Sequence, residues 1–191
     1  DPEMSRGLGD VYKRQEQKPW YDALSEEAKH SRYGKMVKES VAPDSQIGSK
    51  VPVFTAKSQD GKSVTLTDLC QGKKYVLIDF WTSWCGPCIG SFPFLKKLYS
   101  QYHDRGLCMI GVSGDKERNA WLNALERHQL PWISLLSSDK AENDALKLYS
   151  VEKIPTTILI SPEGKIIATD ISNHDLKRLL QQLLGDMPNS K

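Results

Sequence analysis

Phe80-Trp-Thr-Ser-Trp-Cys85-Gly-Pro-Cys88-Ile-Gly-Ser-Phe-Pro93 is the stretch whose reading decides the fold of this chain. The β-branched, apolar run Tyr75–Trp81 ends inside it, and a helical pattern begins after the second cysteine. A strand that feeds a helix through Cys-x-x-Cys points to redox chemistry rather than to a structural staple. This spacing lets both sulfurs sit in the first helical turn, near enough to bridge. The first sulfur then faces unpaired N–H groups and the positive end of the helix, which favours a thiolate. Pro87 suits a helix start, because its fixed φ is helical and its missing N–H is not needed there. Pro93 falls inside the helix, where a kink is expected. A zinc site needs about four ligands, and the chain offers neither a second Cys-x-x-Cys nor a paired-histidine motif.

The composition excludes other classes. Hydrophobic residues make up 39% and charged residues 26%, as in a soluble globular protein. The 26 basic and 24 acidic side chains nearly balance, so nothing argues for nucleic acid or an anionic membrane as a partner. No apolar run is long enough to span a bilayer, and no signal peptide is visible.

Along the chain, Asp10-Val-Tyr-Lys-Arg-Gln15 reads as a translated sequencing-library adapter. Residues 1–15 are therefore set aside as an artefact, the alternative being an ordinary polar tail; the artefact reading implies an N-terminally truncated natural protein, with any export signal or upstream domain lost. Residues 16–47 read as a sparsely apolar helical tail of an upstream region followed by a linker. The module proper is expected over 48–185, with 186–191 as a tail. Val51–Lys57 and Ser63–Leu66 around Asp60-Gly61 predict a β-hairpin. Further strands are expected at Tyr75–Trp81 and Leu107–Ser113, with Leu130–Leu136 a strand or extended loop, then within Val151–Ile160, where Pro155 starts the strand, and at Lys165–Thr169. Helices are expected from Pro87 to His103, Lys116 to His128, Ala141 to Tyr149 and Asn173 to Leu184. Alternating strands and helices with a terminal hairpin make an α/β/α three-layer sandwich around a mixed sheet.

The motif and the order of segments resemble the thioredoxin superfamily, and more narrowly the extracytoplasmic thiol-disulfide oxidoreductases of the TlpA/ResA type, including their Bacteroidetes members. The resemblance covers roughly Gly48 to Leu184. It implies a thioredoxin-like fold with an N-terminal hairpin extension, and it assigns roles residue by residue. Cys85 would attack a protein disulfide, with Trp84, Gly86 and Pro87 bordering the docking surface, and Cys88 would resolve the mixed disulfide. Cys-Gly-Pro-Cys matches thioredoxin itself and favours the reducing direction. Asp79 lies where these proteins carry a buried acid. Burial should raise its pKa toward neutrality, so that it can exchange a proton with Cys88; the alternative is an aspartate neutralised by Lys74 or held by backbone N–H groups. Pro155 stands at the superfamily's cis-proline position, leaving the backbone of Ile154 free to pair with substrate; the alternative is a trans proline opening an edge strand. One departure is Ser91, where many relatives carry a glutamate that a serine cannot replace as a proton relay.

The resemblance also implies that no metal and no organic cofactor are needed, the redox group being the Cys85–Cys88 disulfide. Its partners would be protein disulfides and a membrane-bound electron donor, outside the cytoplasm, with cytochrome c maturation or repair of exported proteins as the task. A peroxiredoxin-like peroxidase is an alternative, although Ile78 occupies the proline position of the Pro-x-x-x-Thr-x-x-Cys pattern. A non-enzymatic thioredoxin-fold binding module is another. Cys70 and Cys108 read as buried hydrophobes, and Trp81, Trp121 and Trp132 as core. The four histidines have no assigned role. Asp115-Lys-Glu-Arg reads as a solvated helix start.

Overall fold

The computed structural model describes residues 46–70, 72, 74–137 and 144–185. The expectations for 1–15, the helical tail and the 186–191 tail fall outside them. The elements are β1 (Thr55–Ser58), β2 (Ser63–Thr65), α1 (Leu66–Cys70), β3 (Tyr75–Trp81), α2 (Gly86–Tyr102), β4 (Leu107–Ser113) and α3 (Arg118–His128). They continue with β5 (Ile133–Leu136), α4 (Ala145–Leu148), β6 (Thr156–Ile160), β7 (Ile166–Thr169) and α5 (Asn173–Leu184). The seven strands form one sheet in the order β2-β1-β5-β4-β3-β6-β7. Strands β3, β4 and β5 run parallel, and the hairpins at the two edges are antiparallel.

Strand β3 is central because both of its faces are apolar. Alternation along the strand sends Leu77 and Trp81 into a cluster with α2, α3 and α5. Val76, Ile78 and Phe80 enter a second cluster on the opposite face with Phe54, Leu66, Ala145 and Tyr149. This is the three-layer sandwich expected from the alternating elements. A parallel strand of this kind must be covered on both sides, which its near-continuous hydrophobic run allows. Gly106 enters β4 at φ +108°, a conformation that few other residues adopt without strain.

Several boundaries move. Val51 does not belong to the first hairpin strand; its N–H donates to the carbonyl of Gly164 (3.0 Å), at the opposite edge of the sheet. Lys50 bridges Lys165 beside β7, which covers part of an otherwise open strand edge. Pro52 has no N–H to extend that pairing, and the chain then crosses to begin β1 at Thr55. Of the expected strand from Leu130, only Ile133–Leu136 pairs. Helix α3 starts at Arg118, with Glu117 as its N-cap, and Ala124 is more deeply buried than Leu122. The described helix within 141–149 is Ala145–Leu148, capped by Asp144 through Leu146 N–H.

Gly111 in β4 is fixed by close approach. A Cβ there would lie 2.9 Å from Trp132 Nε1 and 3.3 Å from Trp81 Nε1. Both indoles are buried and cannot swing away without disturbing the aromatic packing around Phe92. Gly111→Ala is therefore expected to cost about 1–3 kcal/mol of stability, read as a lower urea midpoint; an unchanged midpoint would contradict this packing.

Candidate active site

The chain leaves β3 at Trp81 and turns through Thr82–Cys85, closed by a hydrogen bond from Cys85 N–H to the Thr82 carbonyl (3.2 Å). Cys85 is the N-cap of α2, in an extended conformation, and its Sγ accepts the Cys88 N–H at 3.2 Å. Thiols, like the usual oxygen caps, can meet one of the orphan donors of a first helical turn. Cys85 and Cys88 are joined by a disulfide with an S–S distance of 2.00 Å. Cys88 is fully buried, and Cys85 retains 5% exposure at the edge of the core. Next to it, Trp84 projects into solvent at 75% exposure, with Gly86 and Pro87 also exposed. Cys85 thus lies at the edge of the surface that Trp84, Gly86 and Pro87 expose.

The Ile154–Pro155 peptide bond is cis. Phe80 pairs with Thr156 at the start of β6, so Ile154 and Pro155 lie at the end of the sheet where β3 gives way to the dithiol. Both are half-buried. Ser91 donates its hydroxyl proton to the Cys88 carbonyl at 2.7 Å, a local bond within the helix.

Asp79 lies two residues before Trp81 on the α2 side of β3, opposite Gly111 on one flank and Thr157 on the other. It is 1% exposed, and neither carboxylate oxygen has a hydrogen-bond partner among the described residues. Lys74 does not neutralise it; no ion pair joins them among the described residues. Burial alone pushes its pKa up to about 7.

Residues 46–183 match the Redoxin family. The chain belongs to the redoxin family. Among redoxins it is 31% identical over 150 residues to thiol-disulfide oxidoreductase ResA of Bacillus subtilis, covering 75% of this chain and 79% of that protein. The crystal structure of the thioredoxin domain of a Bacteroides vulgatus thiol-disulfide oxidoreductase superposes with a TM-score of 0.66. It is 35% identical, covering 72% of this chain and 97% of that one. The solution structure of a thiol:disulfide interchange protein from a Bacteroides species also gives 0.66, at 33% identity, covering 75% of this chain and 93% of that one. With the Cys85–Cys88 disulfide, these relatives make this redoxin a thiol-disulfide oxidoreductase of the TlpA/ResA type. An enzyme of this kind sets aside the binding-module alternative.

One element of this redoxin's site differs from the sequence expectation. Asp115 is not a solvated helix start: it is 8% exposed and lies between β4 and α3. Its carboxylate accepts hydrogen bonds from Ser83 N–H (2.8 Å), Ser83 Oγ (2.7 Å) and Ser113 Oγ (2.6 Å). Its own N–H donates to Ser113 Oγ at 2.9 Å. The only sequence signal was two serines and an aspartate at the ends of adjacent strands, and the pairing of Trp81 with Ser113 is what brings them together.

The raised pKa of Asp79 has a consequence for stability. In the unfolded chain it titrates near 3.8, and in the fold near 7. Between these values the folded state holds the extra proton, so stability falls as pH rises through this window. The contribution is complete below about pH 4 and lost above about pH 7, amounting to about 4 kcal/mol. Asp79→Asn is expected to abolish that slope, so that variant and parent diverge in the variant's favour between pH 4 and pH 8 in urea unfolding. Parallel pH profiles would show that Asp79 is ionised throughout.

Proposed function

We propose that this protein reduces disulfides in protein substrates, with Cys85 as nucleophile and Cys88 as resolving thiol. The observation that carries this assignment is the N-cap position of Cys85. In the reduced protein its thiolate would receive the Cys88 N–H and the positive end of a 17-residue helix, both of which stabilise a sulfur anion. Cys88 is fully buried and has no comparable access, so the order of attack follows from exposure.

The chemistry balances within the dithiol. The Cys85 thiolate attacks one substrate sulfur, forming a mixed disulfide and expelling the other as a thiolate, which takes up a proton. Cys88 loses its proton and attacks Cys85 Sγ, releasing the second substrate thiolate and closing the Cys85–Cys88 disulfide. The substrate gains two electrons and two protons. Asp79, ionised about half the time near pH 7, serves as the base for Cys88 and returns the proton when the dithiol is regenerated. With Ser91 already bonded to a backbone carbonyl, the glutamate relay of many relatives has no counterpart at that position, and Asp79 acts alone.

Trp84, Gly86 and Pro87 form one side of the docking surface. Ile154 and the cis Pro155 form the other, offering backbone for an extended substrate segment. The reaction uses no metal or organic cofactor. The oxidised dithiol needs a reductant, and a membrane-bound electron donor outside the cytoplasm fits the likeness to ResA. No helix among the described residues is long and apolar enough to cross a membrane. Maturation of cytochrome c or repair of exported proteins is the corresponding task.

Cys85→Ser is expected to lose insulin-disulfide reduction entirely, whereas Cys88→Ser retains the attack and accumulates a mixed disulfide visible on non-reducing gels. Full activity in Cys85→Ser would overturn the assignment, and a mixed disulfide trapped through Cys88 in that variant would reverse the roles.

A further inference from the structure

Resting on the thiol-disulfide reading above, we propose that Asp115 is a positioning residue for protein substrates. Through Ser83 it fixes the turn that presents Trp84 and Cys85 as one docking edge.

The turn Thr82–Cys85 closes through a single backbone hydrogen bond of 3.2 Å, from Cys85 N–H to the Thr82 carbonyl. Such a turn has two corner residues, here Ser83 and Trp84. Ser83 is gripped from the loop that follows β4: its N–H meets Asp115 Oδ2 and its hydroxyl meets Oδ1. Two donors of one residue held by two oxygens of one carboxylate fix an orientation as well as a place. Ser113 steadies the carboxylate in turn, donating to Oδ2 and accepting the Asp115 N–H. A further bond from Gly114 N–H to the Trp81 carbonyl (3.0 Å) ties the same two strand exits.

The consequence falls on the other corner. Trp84 is 75% exposed, so its place depends on the turn more than on the core. The turn sets the direction of its Cα–Cβ bond, and the turn is held at Ser83. Cys85, next in sequence, carries the sulfur. A protein disulfide must meet the sulfur and the indole together, whereas a small disulfide needs only the sulfur. Loss of the Asp115 grip should therefore discriminate between the two.

The test uses the reduced full chain with insulin and with a small aryl disulfide as alternative substrates. Asp115→Asn keeps the size but can accept through one oxygen only, so it cannot hold both Ser83 donors and Ser113 as the carboxylate does. It is expected to lower kcat/KM for insulin about tenfold while the aryl disulfide reacts within about twofold of the parent rate. Ser83→Ala, which keeps the carboxylate and the backbone bond, is expected to shift the ratio in the same direction by about threefold; it decides the matter if Asp115→Asn does not fold. Equal losses on both substrates, or no loss on either, would overturn the positioning role. A parent protein unable to reduce either disulfide would overturn the underlying reading instead.

Discussion

A helix start presents several N–H groups with no backbone acceptor, and in most proteins an oxygen side chain meets one of them. Here a sulfur stands in that place: Cys85 caps α2 and accepts the Cys88 N–H at 3.2 Å. The same positive environment that satisfies a cap also stabilises a thiolate. In the proposed mechanism, chemistry and helix initiation share one atom. That arrangement requires a strand delivering the chain to the right point and a helix held firmly behind it, and much of the core serves these two ends.

The anchoring is visible in the packing around α2. Phe92, Leu95, Leu98 and Tyr102 turn into the cluster that also contains Leu77, Trp81 and both active-site cysteines. Phe92 meets Trp81 edge-on at 5.3 Å between ring centroids, and Trp132 at 6.2 Å. Such contacts restrict both the strand end and the helix start. The indoles of Trp81 and Trp132 reach into the space left by the missing side chain of Gly111, directly across the ladder from Asp79. A carboxylate in such surroundings is costly as an anion. The fold tolerates it by letting the proton stay until about pH 7, which is the range in which a thiol must be deprotonated to act as resolving nucleophile.

Two serines show how the same residue type takes different parts around the dithiol. Ser91 is absorbed into the helix by its bond to the Cys88 carbonyl. Ser83 instead spends both of its donors on a carboxylate from the next strand exit. Membership of the redoxin family accounts for the shared architecture, but such details are this chain's own and follow from which polar groups its turns bring within reach.

The sequence by itself determined the layer order and the dithiol, because both are local. Two-sided hydrophobicity marks Tyr75–Trp81 and Leu107–Ser113 as buried strands, and both have those bounds in the structure. Asn173–Leu184 is likewise a helix from end to end, since its apolar spacing and its Ser172 cap lie within one segment. What the tertiary structure alone decided depends on contacts between distant segments. Val51 pairs at the far edge of the sheet rather than in its own hairpin. Asp79 has no hydrogen-bond partner among the described residues, because the packing of the sheet against α2 surrounds it with apolar groups. Asp115 looks like a helix-leading charge in the sequence, yet it is drawn inward because the β3–β4 register sets Trp81 beside Ser113 and so brings Ser83 within hydrogen-bonding distance. Periodicity records which way a side chain faces; only the assembled sheet supplies what it faces.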